Sequence, residues 1–240
     1  MTGQIKNHKT KFFLVIGAIG LFAVLTGFST TFIIPLGKGT LYAPAIIYIH
    51  GAFAFSWICL FITQSYLIQN NNFRQHRLLG FLGIVIATAI TITLIPVGLY
   101  QVEKDLGNGL GQTAISSIVG TITSAIIFIS LVLAGILKRH KPSTHKRLML
   151  LATILLLWPA WFRFRHLFPY VPNPEIWFAI VLADSLIIIS LIWDKIKNGK
   201  VNPTLLYAGL FIIVEHAVEA YMFDTALWSE LANRIYGLLT

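Results

Sequence analysis

The chain has 240 residues, of which 56% are apolar and only 11% charged, and its mean hydropathy is +0.77. This composition excludes a water-soluble globular domain, and seven spans of about 20 residues each leave only enough chain for short loops, so a separate soluble module is excluded as well. The net charge of +9 does not indicate nucleic acid either, because no basic stripe has the interleaved aromatic or groove-fitting character that recognition needs.

The charges are instead placed by topology. Thirteen of the eighteen Lys and Arg residues fall in four segments: Lys6, Lys9 and Lys11; Arg74 and Arg77; Lys138, Arg139, Lys141, Lys146 and Arg147; and Lys195, Lys197 and Lys200. Every second loop is basic. This positive-inside pattern predicts an all-α bundle of seven spans with a cytoplasmic N-terminus, an external C-terminus and a basic face toward the anionic lipids of the cytoplasmic leaflet.

In chain order, the first predicted span runs from Phe12 to Leu36, too long for a signal-peptide core and without a small-x-small cleavage site. Pro44 opens the second, Ala45 to Gln69, at a position where its missing N–H costs little. The polar run Asn70 to Arg77 turns the chain, and span three, Leu78 to Tyr100, carries Pro96 and leads into an acidic, glycine-rich external loop, Glu103 to Gly111. Span four covers Thr113 to Leu137. Ser143 or Thr144 is expected to cap span five, Leu148 to Phe168. Spans six and seven run from Ile176 to Trp193 and from Thr204 to Phe223. In the final segment Leu227, Leu231, Ile235 and Leu238 recur at helical spacing, which predicts an amphipathic interfacial helix. Tyr42, Tyr170, Trp177 and Trp228 sit where interfacial anchors are expected. The single Cys59 lies in an apolar stretch and reads as packing.

Ionisable side chains inside a span cost several kcal/mol unless paired or hydrated. Counted from the outer helix ends at 1.5 Å per residue, His50 on span two and His216 on span seven share a depth roughly 10 Å below the outer boundary. Asp184 on span six, Glu215 and Glu219 beside His216, and Arg163 and His166 on span five are expected in the same slab. Such a mixture can bind a metal, ligate a cofactor or relay protons. His50 and His216 could hold a b-type haem from two sides with Arg163 or Arg165 on its propionates; His50, His166 and His216 with Asp184 or Glu219 could hold zinc. Proton-coupled transport, lipid handling, and a purely structural or assembly role are the other readings of the same residues. Span seven has no lysine for a retinal Schiff base, and there is no phosphate-binding glycine loop, nucleophile elbow or His-Glu-x-x-His.

A second group marks the basic face. His76-Arg77-Leu78-Leu79-Gly80 opens span three and His145-Lys146-Arg147-Leu148-Met149 opens span five, an echo of the kind a duplicated hairpin leaves. His76, Arg77, His145 and Arg147 are expected among headgroups, as lipid contacts or as a basic site for an acidic ligand. Together with His50-Gly51, Trp57, Gln64, Ala152-Thr153, Pro159 and Arg163, these motifs resemble a family of bacterial multi-span membrane proteins of uncharacterised activity. That resemblance implies a bacterial inner membrane and no particular reaction. The seven-span plan and the histidine on the last span are also faintly similar to the alkaline ceramidase and adiponectin-receptor membrane hydrolases. That superfamily has two histidines one turn apart there, whereas Glu215, His216 and Glu219 stand here.

Overall fold

The computed structural model of the protein describes residues 11–240; Lys6 and Lys9 of the first basic segment lie outside them. The described chain is helical throughout, with α1 (Phe12–Gly27), a π turn (Ser29–Ile33), α2 (Ile34–Gly37), α3 (Ala45–Gln69), α4 (Phe73–Gly107), α5 (Gln112–Leu137), α6 (Pro142–Leu156), α7 (Trp158–Phe162), α8 (Ala183–Asn198), α9 (Pro203–Met222) and α10 (Ala226–Leu239). Six stretches are long and apolar enough to cross a membrane, and the pair Phe12–Gly27 and Ser29–Gly37, bent by 49°, makes a seventh if it is one span. Large apolar side chains such as Phe81, Leu78 and Ile92 are two-thirds exposed or more. In water they would drive aggregation, whereas in a bilayer they face solvent of their own kind. The protein is a multi-pass, all-α membrane bundle.

α6 is the central helix, packed by α3, α5, α8 and α9. Its Leu150, Leu151, Ile154 and Leu155 are buried, together with Leu157 just beyond its end. Glycine permits a close backbone approach: a Cβ on Gly27 would lie 2.1 Å from the Ala160 carbonyl oxygen, so α1 meets α7 backbone to backbone at a position where no side chain fits.

Local chemistry moves several boundaries. The first span bends at the π turn, where Ser29 Oγ donates to the Thr26 carbonyl at 2.6 Å. α4 continues to Gly107, so Glu103 is helical and not part of a loop; the turn is confined to the left-handed Gly109 and Gly111. Pro96 is accommodated inside α4. Neither Ser143 nor Thr144 caps α6, which starts at Pro142 and leaves Ser143 in its first turn. The fifth span breaks at Leu157 before Pro159, and the sixth begins as a π segment, Glu175–Leu182. α10 forms as expected, but the side it buries carries Trp228 and Ala232, packed on α5, while Leu227, Leu231 and Leu238 are exposed. Trp228 is therefore no interfacial anchor: its indole N–H donates to the Ser116 carbonyl at 3.1 Å. Tyr42 and Tyr170 are almost fully exposed, as anchors should be.

Candidate functional site

α8 and α9 build a buried polar group. Asp184 lies in the first turn of α8, directly after the π segment, and His216 lies two turns from the end of α9; both are buried. π segments inside helices are frequent at functional sites because the wider turn re-aims the residues that follow. The His216 Nδ1–H donates to Asp184 Oδ1 at 2.8 Å, and the opposite ring nitrogen faces Glu215 Oε2 at 3.9 Å. Asp184 Oδ2 and Glu215 Oε2 are buried and accept no hydrogen bond. One turn further along α9, Glu219 lies against Gly120 of α5, where a Cβ would stand 2.0 Å from Glu219 Oε1. Gly120 thus leaves room for a carboxylate, a role that its sequence context does not announce.

One carboxylate from α8 and two carboxylates and an imidazole from two turns of α9 are thus held close together inside the apolar slab, where ionisable groups are costly unless paired or hydrated. The imidazole lies between two carboxylates, hydrogen-bonded to Asp184 through Nδ1, while its other nitrogen stands 3.9 Å from Glu215, beyond hydrogen-bond distance.

The other expected members of the outer slab are elsewhere. His50 Nδ1 lies 2.8 Å from Thr93 Oγ1, and Thr93 gives its hydroxyl hydrogen to the Ala89 carbonyl at 2.6 Å. The imidazole N–H is therefore the donor, and the contact ties α3 to α4. Arg163 pairs with neither Asp184 nor Glu219. Its guanidinium donates to the Pro159 carbonyl at 2.9 Å and lies 4.2 Å over the Phe28 ring, where it satisfies a carbonyl of the broken fifth span. His166 is exposed at the end of a 3-10 turn. Among the described residues no three His, Cys, Asp or Glu side chains converge to hold a metal ion, so the structure does not bring His50, His166, His216, Asp184 and Glu219 together and lends the zinc arrangement no support. The haem arrangement gains no support, because each proposed axial histidine is engaged by its own neighbour: α3 packs on α1, α4 and α6, and α9 on α6, α8 and the π segment. The slab divides because helix depth fixes only one coordinate; azimuth and packing order fix the others.

At the basic end the two echoed motifs do meet. The rings of His76 and His145 stand edge to face with centroids 6.3 Å apart. The His145 Nδ1–H donates to the Gly135 carbonyl at 2.8 Å, and Gln64 Nε2 donates to the His76 carbonyl at 3.1 Å. His76 Nδ1 and Gln64 Oε1 are buried without partners. Arg77 stays exposed, its Nε donating to the Phe73 carbonyl.

Arg147 departs furthest from expectation. It does not stand solvated at the helix end: it is buried and forms an ion pair with Asp194 of α8, which is fully buried. Asp194 also accepts from Asn198 Nδ2 at 2.7 Å and from the Asn202 backbone N–H at 2.6 Å, while Arg147 Nη1 donates to the Ser143 carbonyl and hydroxyl at 2.7 Å each. Asp194 carried a signal in the sequence: of the nine acidic residues it alone lies among the basic segments, next to Lys195.

Compared with known proteins, the chain matches no family model, and no curated protein or solved structure is significantly similar to it.

Proposed function

We propose that the protein is a proton-coupled transporter of a bacterial inner membrane, with its basic end in the cytoplasm and Asp184, His216, Glu215 and Glu219 as the proton-carrying site. The observation that carries this reading is the buried imidazole of His216, bonded to Asp184 at 2.8 Å through Nδ1 and facing Glu215 through the other nitrogen. Interhelical polar contacts in membranes contribute only about 0.6 kcal/mol on average, so an assembly of four ionisable groups exceeds what locking two helices requires. A metal- or haem-based reading draws no support from this arrangement.

A second feature favours a hydrophobic or amphipathic ligand, as in lipid handling. Between α5 and α9 lies an open apolar groove of about 360 Å³, lined by Ile126, Ile127, Leu131 and Ala134 of α5 and Ala208 and Phe211 of α9. Phe211 is one turn before Glu215 on α9, which puts this groove next to the carboxylates along the same helix.

Proteoliposomes loaded with a pH-sensitive dye test the proposal. An imposed pH gradient, alone or with a panel of weak acids, amphipathic cations and lipid-like amines, is followed for the wild type and for His216→Gln and Asp184→Asn. The wild type should move protons under at least one condition, and both variants should lose that flux while remaining folded. If the three proteins match protein-free liposomes under every condition, the proposal fails.

A further inference from the structure

The geometry points to a phosphate-type anion site at the basic end of the bundle, separate from the proton-carrying group at the other end. A recess of about 200 Å³ opens there, walled by Ser143, Lys146 and Arg147 of α6, by Asn198 at the end of α8, and by Lys200 and Asn202 ahead of α9. The volume is below the roughly 300 Å³ at which pockets begin to hold drug-sized molecules, so it suits a single small group.

The charges specify the sign. Arg147 lines the recess and is spoken for by Asp194, the one carboxylate lining it among the described residues, whose two oxygens are already taken by Arg147, Asn198 and the Asn202 N–H. Lys146 and Lys200 form no ion pair among the described residues, Lys146 lying 5.5 Å from the Phe13 ring centroid. One carboxylate against three cations leaves a surplus of two positive charges, which matches a phosphate.

The donors specify the chemistry. Arg147 Nε is buried and donates to nothing, although the side chain is nearly inaccessible. An orphaned charged donor of this kind is costly and calls for an acceptor. α6 and α9 both begin at this recess, with Pro142 and Pro203 in their first turns, so two helix N-termini add partial positive charge beside the lysines. The Asn198 and Asn202 side-chain amides border the same space. Lysines on flexible stems, an arginine and helix N-termini are the donor set that phosphate oxygens accept from. The phosphate can come from a lipid headgroup of the adjacent leaflet or from a soluble phosphate; the recess chemistry is common to both.

Purified full-length protein is titrated with inorganic phosphate against chloride at constant ionic strength, with thermal unfolding as the readout, and separately reconstituted into vesicles of phosphatidylcholine with and without phosphatidylglycerol, with co-purified lipid counted by mass spectrometry. Saturable stabilisation by inorganic phosphate identifies a soluble ligand. Retention of phosphatidylglycerol without that stabilisation identifies a headgroup. In either case Lys146→Ala with Lys200→Ala should weaken binding at least tenfold, Lys146→Arg with Lys200→Arg should restore most of it, and Lys38→Ala, in the loop at the other end of the first span, should leave it unchanged. The inference is overturned if neither ligand binds saturably, or if the double alanine variant binds as the wild type does.

Discussion

Removing Asp194 alone should destabilise the bundle more than removing it together with Arg147. Asp194→Leu leaves the Arg147 guanidinium buried without its counter-ion and deprives Asn198 and the Asn202 N–H of their acceptor. Breaking one side of a buried pair costs about 3–5 kcal/mol, and the three lost acceptor contacts put this variant in the upper half of that range. Arg147→Met leaves the carboxylate two hydrogen-bond donors, so its cost should lie near about 3 kcal/mol. The double variant Arg147→Met with Asp194→Leu buries no charge, and apolar replacements of buried pairs are often close to neutral, so its cost should stay below about 3 kcal/mol. Equilibrium unfolding in mixed detergent micelles measures all three, and the cycle should return a coupling above about 2 kcal/mol. Additivity within about 0.5 kcal/mol would mean that the two groups do not depend on one another and would refute the buried pair.

A methyl group on Gly120 must displace the Glu219 carboxylate, since a Cβ would stand 2.0 Å from Oε1; Gly120→Ala should therefore lower the unfolding temperature, and Glu219→Ala in the same chain should recover most of the loss. His50→Ala removes one hydrogen bond to Thr93 and should cost about 0.6 kcal/mol, whereas His216→Ala strips Asp184 of its donor beside two further carboxylates and should cost about 1–3 kcal/mol; comparing their unfolding midpoints checks the division of the outer slab. For the orientation, a cysteine at Tyr170, which is 97% exposed, should react with a membrane-impermeant thiol reagent in intact cells once Cys59 is replaced, and one at Lys197 should react only after permeabilisation.

Much of the architecture was written in local composition. Apolar runs of span length, Pro44 and Pro203 at helix starts, and Lys and Arg in alternate loops fix the number and order of helices, because a bilayer admits few solutions for a buried backbone. Asp184, His216 and Glu219 were legible as candidates for the same reason: an ionisable group within an apolar run is conspicuous. Their partners were not. Depth along a span follows from counting residues, but which faces meet depends on packing around α6, and that packing draws His216 to Asp184 while it sends His50 to Thr93 and Arg163 to Phe28. The same limit hid the Arg147–Asp194 pair, since a basic residue at a helix end looks solvated until a neighbouring helix covers it. The echoed motifs predicted two equivalent basic ends, and tertiary structure gave them different roles. His76 and His145 stand ring to ring, while Arg77 stays exposed and Arg147 is buried, because α4 lies at the rim of the bundle and α6 at its centre.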